Sequence, residues 1–271
     1  MPLTSILFYI LPSFLLAPFC KPLQKEPKVL ICYAKLKPES ISGYHMLILE
    51  PKHYLPSNIR VFKKQNEQVF AYLSLGEVNA NADHFAKVSK YTLGKNEQWD
   101  SHYLNLNSPE TLQVLLDLVA HYFAEGYDGL FLDNIDNYAQ FGPQKDQKQA
   151  LIELIRKIKT AFPAKKLIQN AGLELVPDTA NYIHSIAIES VATNYDFTAQ
   201  KYQLSDESRY NSLLASIEQI QNSFHKSILL IEYADDESLK RRVEERLSAV
   251  NCALFIGKID LQQPPLLQLD K

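Results

Sequence analysis

Short runs of Val, Ile, Leu, Phe and Tyr recur along the chain from Val29 onward, each closed by a polar or turn residue. They are VLICY (29–33), YHMLILE (44–50), QVFAYLS (68–74), GLFLD (129–133), KLIQN (166–170), SIAIE (185–189), ILLIEY (228–233) and ALFIG (253–257). The runs are too short for helices and apolar on both faces, which predicts strands of a parallel sheet covered on both sides. Between most of them the period changes to that of a helix. In 108–126, Leu112, Leu115, Leu116, Val119 and Phe123 share a face. Ser108 suits the N-cap, Pro109 the first turn, Glu110 the positive end of the dipole and Gly126 the stop. Segments 144–161 and 236–250 are also predicted helical. Strands alternating with helices point to an α/β fold. Eight strands predict a (β/α)8 TIM barrel, with an open doubly wound sheet as the alternative.

In a barrel, catalytic groups stand at the C-terminal strand ends. Those ends here are Tyr33, Glu50, Ser74 followed by Glu77, Asp133, Asn170, Glu189, and Glu232 with Tyr233. Carboxylates at strand ends are costly unless paired or used, so their number marks one rim as a candidate site. Asp128 and Asp133 flank the fourth strand. At roughly 3.3 Å per residue they are about 16 Å apart, on opposite faces of the barrel. Asp128, in the tight turn EGYDG, is expected to be structural and to bond loop amides, and Asp133 to stand at the mouth.

With 46 % apolar and 22 % charged residues, the 271-residue chain can bury a full core. Its formal charge of −3, with no basic stripe, excludes nucleic acid as the expected partner. Cys20, Cys32 and Cys252 form no CxxC. Buried thiols are expected at Cys32 and Cys252, with a bridge between them as the alternative. The stretch MPLTSILFYILPSFLLAPFC precedes the first charged side chain, Lys21. It reads as a signal peptide or membrane anchor over 1–20, followed by a linker over 21–28 and a single barrel domain over 29–271. The expected location is therefore secreted, periplasmic or envelope-attached, with the membrane touched only through that segment. A buried apolar N-terminus is the alternative, and a monomer is expected.

The seven histidines form neither HxH nor HExxH, and no GxGxxG, Walker or GxSxG pattern occurs. Neither a histidine-ligated metal nor a cofactor is expected, with a purely oxygen-ligated ion as the alternative. What remains is a ring of acids, amides and aromatic residues: Tyr33, Tyr72, Trp99, Tyr138, Tyr195 and Tyr233 stand near the acids in sequence. Glycoside hydrolysis needs this set, two carboxyl groups flanking the scissile bond with rings to pack against sugars.

Five blocks, FAYLSLGEV (70–78), GYDGLFLDNIDNY (126–138), LIQNAG (167–172), IAIESVATNYDF (186–197) and IEYADD (231–236), resemble glycoside hydrolase family 114, in order and over nearly all of Val29 to Gln263. The resemblance implies a (β/α)8 barrel and endo-α-1,4-polygalactosaminidase activity, as in the related hydrolase domain of Pel polysaccharide machinery. It puts the nucleophile on Asp133 and the acid/base on Glu189, with a retaining mechanism. Glu77, Asn134, Asp136, Asn170, Tyr195 and Tyr233 fall on cleft positions. Tyr72 and Asn170 are expected to orient the sugar. Glu232 is expected among the rim acids that attract a cationic amino-sugar polymer. A polysaccharide-binding or assembly protein on the same barrel, and a glycosidase for another linkage, are the alternatives.

Overall fold

The computed structural model describes residues 28–264, so the segments expected as export signal and linker lie outside the described residues but for Lys28. Eight parallel strands form one sheet in chain order: β1 (Val29–Cys32), β2 (Met46–Leu49), β3 (Gln68–Ser74), β4 (Gly129–Asp133), β5 (Lys166–Asn170), β6 (Ser185–Glu189), β7 (Ser227–Tyr233) and β8 (Ala253–Gly257). β1 and β8 lie side by side and nearly close a barrel. The backbone link at the seam is the Tyr33 N–H donating to the Leu261 carbonyl at 2.8 Å. The unbroken strand order, the near-closure and the intervening helices make this the expected (β/α)8 barrel.

β1 and β2 are buried along their whole length, as apolar strands between a barrel interior and a helical coat must be. β2 is shorter than its apolar run: Pro51 has no N–H to extend the ladder, and the chain enters a 3-10 turn at Pro51–His53 instead. At the start of β4 only glycine fits. A Cβ on Gly129 would run into the Lys166 carbonyl oxygen and the Phe70 ring.

The helix at Pro109–Glu125 has the expected ends, with the Ser108 hydroxyl accepting the Thr111 N–H at 3.2 Å and Gly126 left-handed at φ 109°. Its buried stripe is Thr111, Leu115, Val119 and Phe123. Leu112 and Leu116 pack on its flank. The next helix starts at Lys148, after a 3-10 turn, and runs to Ala161. The last runs Glu237–Leu247, capped by the Asp236 carboxylate accepting the Leu239 N–H at 2.7 Å.

Two excursions leave the C-terminal rim. After β3 comes a three-stranded antiparallel sheet of Glu77–Asn79, Ser101–Tyr103 and Lys95–Asn96. After β6 comes a hairpin of Thr193–Asp196 and Lys201–Leu204, which leads into the helix Glu207–Phe224. Their strands are too short to leave a periodic signal in the sequence. Cys32 is buried, and the two described cysteines are not joined in a disulfide. Among the described residues no helix is long and apolar enough to cross a membrane.

Asp128 sits at the opposite end of the barrel from Asp133. Its Oδ2 accepts the Val69 N–H at 2.9 Å and its Oδ1 pairs with Lys63 Nζ at 2.6 Å. Its own N–H donates to the Val69 carbonyl at 2.8 Å. The partner is thus a strand amide, and Asp128 stitches β3 to β4 where both begin. Asp128→Ala strands the buried Val69 N–H, so the unfolding free energy in urea should fall by about 1–3 kcal/mol, with catalytic turnover unchanged.

Candidate active site

Side chains alternate faces along a strand. With Asp133 facing inward, Phe131 shares its face. Tyr72 pairs with Phe131 in the β3–β4 register, and the two rings stack at 6.4 Å. The inward residues at or near the ends of β3 to β7 then meet in one hydrogen-bonded chain. The Tyr72 hydroxyl donates to Asp133 Oδ2 at 2.7 Å. Asn170 Nδ2 donates to Asp133 Oδ1 and to Glu189 Oε1, each at 2.7 Å. The Tyr233 hydroxyl donates to Glu189 Oε2. The reverse orientation of the Asn170 amide would face its oxygen with two carboxylates, so the network dictates the assignment. Asn170 is buried, and its Oδ1 has no hydrogen-bond partner among the described residues. Tyr33 closes the chain on the β1 side, its ring 4.6 Å from that of Tyr72.

The backbone breaks sharply after each central member. Asn134, Ala171 and Ser190, which follow Asp133, Asn170 and Glu189, all have positive φ, at 58°, 59° and 56°. Non-glycine residues rarely adopt this conformation, and it concentrates at functional sites. Here it ends each strand abruptly and leaves its last side chain at the mouth.

Burial raises the Glu189 carboxyl above the usual carboxylate range, and the Asp133 charge adds to this. Its hydrogen bonds from Tyr233 and Asn170 oppose the rise. Burial raises the hydroxyls of Tyr33, Tyr72 and Tyr233 well above the ordinary tyrosine range, with the Asp133 charge adding at all three and the Glu189 charge at Tyr33 and Tyr233. They keep their protons, and Tyr72 and Tyr233 donate them in hydrogen bonds to the two carboxylates.

Not every expected residue faces this site. Glu232 lies on the outward face of β7, one residue before Tyr233, and is fully buried. Its carboxylate accepts the backbone N–H groups of Val191, Ala192 and Thr193 at 2.8–2.9 Å and the Thr193 hydroxyl at 2.6 Å. The expectation of Glu232 as a rim acid is corrected by strand alternation. Glu77 is also buried, its carboxylate taken up by Asn96 at 3.1 Å, by Asn137 at 2.9 Å and by the Ser101 hydroxyl. It ties the first excursion to the loop after β4. Asn134 Oδ1 accepts from Ser74 Oγ at 2.6 Å and holds the rim. Tyr138 is a core residue, its hydroxyl donating to the Leu75 carbonyl at 2.8 Å. Asp136 stands exposed on the turn above Asp133. Its carboxyl is raised by partial desolvation first and by the Asp133 charge second.

Tyr195 lies on the hairpin after β6 and packs edge-on against Phe197 at 5.0 Å. Phe197 in turn meets Trp99 at 5.7 Å. Phe197 and Asn137 were not singled out from the sequence. Phe197 closes the block IAIESVATNYDF and Asn137 lies inside NIDNY, but only the folded chain shows what they touch. Among the described residues no group of three His, Cys, Asp or Glu is placed to hold a metal ion.

Residues 50–262 match the model of glycoside-hydrolase family GH114. An uncharacterized protein of Deinococcus radiodurans is 22 % identical over 215 residues, covering 74 % of this chain and 68 % of that protein. Among solved structures, the glycoside hydrolase domain of PelA from Pseudomonas aeruginosa superposes with a TM-score of 0.78 at 25 % identity, over 88 % of this chain and 97 % of that one. Ega3 of Aspergillus fumigatus, solved in complex with galactosamine, superposes at 0.69 with 18 % identity, over 87 % and 92 %. The family match spans most of the chain, and the barrel carries two carboxylates at its catalytic end: this chain belongs to glycoside-hydrolase family GH114 and is a glycoside hydrolase.

Proposed function

We propose that the enzyme cuts α-1,4-linked, galactosamine-containing polysaccharide in an endo fashion with retention of configuration. Asp133 acts as nucleophile and Glu189 as acid/base. The observation that carries this reading is the bridging amide of Asn170. Two 2.7 Å legs through one nitrogen cap the separation of the facing Asp133 and Glu189 oxygens at about 5.4 Å, twice one leg. Retaining glycosidases hold their carboxyl groups about 5–5.5 Å apart, while inverting enzymes leave a wider gap for water.

In the first step an Asp133 oxygen bonds to the anomeric carbon while Glu189 gives its proton to the departing glycosidic oxygen. Glu189, now charged, then takes a proton from water. That water attacks the same carbon, breaks the glycosyl–Asp133 ester and restores both groups. The raised carboxyl of Glu189 keeps a proton available for the first step. Tyr72 and Asn170 hold Asp133 in line, and Asn170 Oδ1 accepts an N–H or O–H of the bound sugar. The half-buried Glu50 and the exposed Asp136 and Asp235 add negative charge around the mouth, which draws in a polymer carrying free ammonium groups. No cofactor enters this reading. The apolar stretch over 1–20 supports a secreted or envelope location.

Partially deacetylated α-1,4-galactosaminogalactan is the test substrate, with products followed by mass spectrometry and the anomer of the first product by NMR. Wild type should release oligosaccharides of the α anomer. Asp133→Asn and Glu189→Gln should each lower kcat/KM by about a thousandfold or more while unfolding like wild type. Release of the β anomer would sink the retaining mechanism, and binding without cleavage by wild type would point to a polysaccharide-binding role. Tyr233→Phe removes a hydrogen bond that favours the charged form of Glu189. The general acid then keeps its proton to higher pH, so the alkaline limb of the kcat/KM profile should move upward in pH.

A further inference from the structure

Two large apolar side chains at the rim stand far out of the core. Trp99 is 51 % exposed and Phe197 is 48 % exposed. They meet edge to face, 5.7 Å apart at 88°. They come from different parts of the chain. Trp99 lies in the turn between Lys95–Asn96 and Ser101–Tyr103, on the excursion after β3. Phe197 lies at the tip of the hairpin after β6. β4 and β5 stand between β3 and β6 in the barrel, and they carry Asp133 and Asn170. The two arms therefore reach toward each other along the stretch of rim that holds the carboxylate site.

Each arm is fixed at its root by a buried glutamate. Glu77 receives Asn96 and Ser101, which flank the turn carrying Trp99, and Asn137, from the loop after Asp133. Glu232 receives three successive N–H groups at the base of the hairpin carrying Phe197. Carboxylates deprived of water and given several donors make rigid anchors. The rings are thus held in place at the arm tips while half their surface meets water. In an edge-to-face pair one ring keeps its faces uncovered by the other. Such rings present flat apolar surface to a pyranose, whose C–H groups supply the complementary face. The turn around Trp99 also carries Glu97 and Asp100, and Asp196 precedes Phe197. Lys95 pairs with Glu97 at 3.4 Å and with Asp100 at 2.7 Å, and Lys201 stands opposite Asp196 in the hairpin, leaving three carboxylates to two lysines around the rings. This surroundings suits a sugar bearing an ammonium group.

From this we infer that Trp99 and Phe197 form an aromatic subsite for a pyranose unit of an amino-sugar chain, beyond the unit at Asp133 and Glu189, and that Glu77 and Glu232 are its positioning residues. The inference rests on the reading of the enzyme as one acting on an amino-sugar polymer. It gives the two buried glutamates a role that the carboxylate site itself does not.

Trp99 is the one tryptophan of the chain, so its fluorescence reports this subsite alone. The full-length Asp133→Asn variant is titrated with α-1,4-galactosamine oligosaccharides of increasing length, and with maltooligosaccharides of equal length as the neutral comparison. Trp99 emission should change saturably with the longer galactosamine oligosaccharides, remain unmoved by the monosaccharide, respond less to the neutral chains, and lose its response in Asp133→Asn/Phe197→Ala. In the otherwise wild-type enzyme, Trp99→Ala and Phe197→Ala should raise KM for the polymer about tenfold, with a much smaller change in kcat. Trp99→Phe, which keeps a ring, should recover most of the loss. Cleavage of the polymer by wild type with unmoved emission and an unchanged KM in Trp99→Ala overturns the subsite and leaves the function standing. No cleavage by wild type, with a saturable emission change, overturns the activity and leaves the subsite. Neither cleavage nor an emission change overturns both.

Discussion

A carboxylate withdrawn from water must be given donors, and the working end of this barrel is organised around that requirement. Asp133 and Glu189 share one amide nitrogen and take one tyrosine hydroxyl each. Glu77 collects two amides and a hydroxyl. Glu232 collects three backbone N–H groups and a hydroxyl. At the other end Asp128 takes a strand N–H and a lysine. Removing any one of these donors leaves a buried charge undersatisfied, which is costly in a low-dielectric interior. The acids therefore dictate where the surrounding amides, hydroxyls and loops must stand.

The same requirement separates acids that react from acids that hold. Glu232 and Glu77 are so fully engaged that little of their hydrogen-bonding capacity remains for a sugar. Asp133 and Glu189 are linked to each other through a group that also has an acceptor to offer, the Asn170 oxygen. Their neighbours Asn134, Ala171 and Ser190 bend the chain away at once through left-handed conformations. Strain of this kind costs on the order of 1–2 kcal/mol per residue, and packing elsewhere must offset it. The apolar core that fills the barrel, from Leu30 through Phe131 to Phe255, supplies that margin.

Much of this was legible in the residue pattern. β3 through β6 occupy the residues that the apolar runs indicate, because a strand buried on both faces needs a continuous run of large side chains. The helix at Pro109–Glu125 was legible to its caps, because Ser-Pro-Glu and a closing glycine act locally. The helix after Asp206 and the two excursions were not: TAQKYQLSDESRYNS has no strong apolar period, and strands of two to four residues leave none. Asp128 was recognised as structural from its turn, though its partner proved to be a strand amide.

The sequence by itself determined the barrel, most of its strand ends and the carboxylates carried near them, since period and length decide what a segment can bury. Which face each terminal acid takes was decided only in the folded chain. Glu189 and Glu232 both stand at the ends of apolar strands in sequence, yet one turns into the mouth and the other into the wall. A shift of one residue along a strand reverses the side, and where the last residue falls is set by the register with neighbouring strands. The meeting of Trp99 with Phe197 was likewise decided only by tertiary structure, because almost a hundred positions of chain separate two rings that the curvature of the sheet brings together.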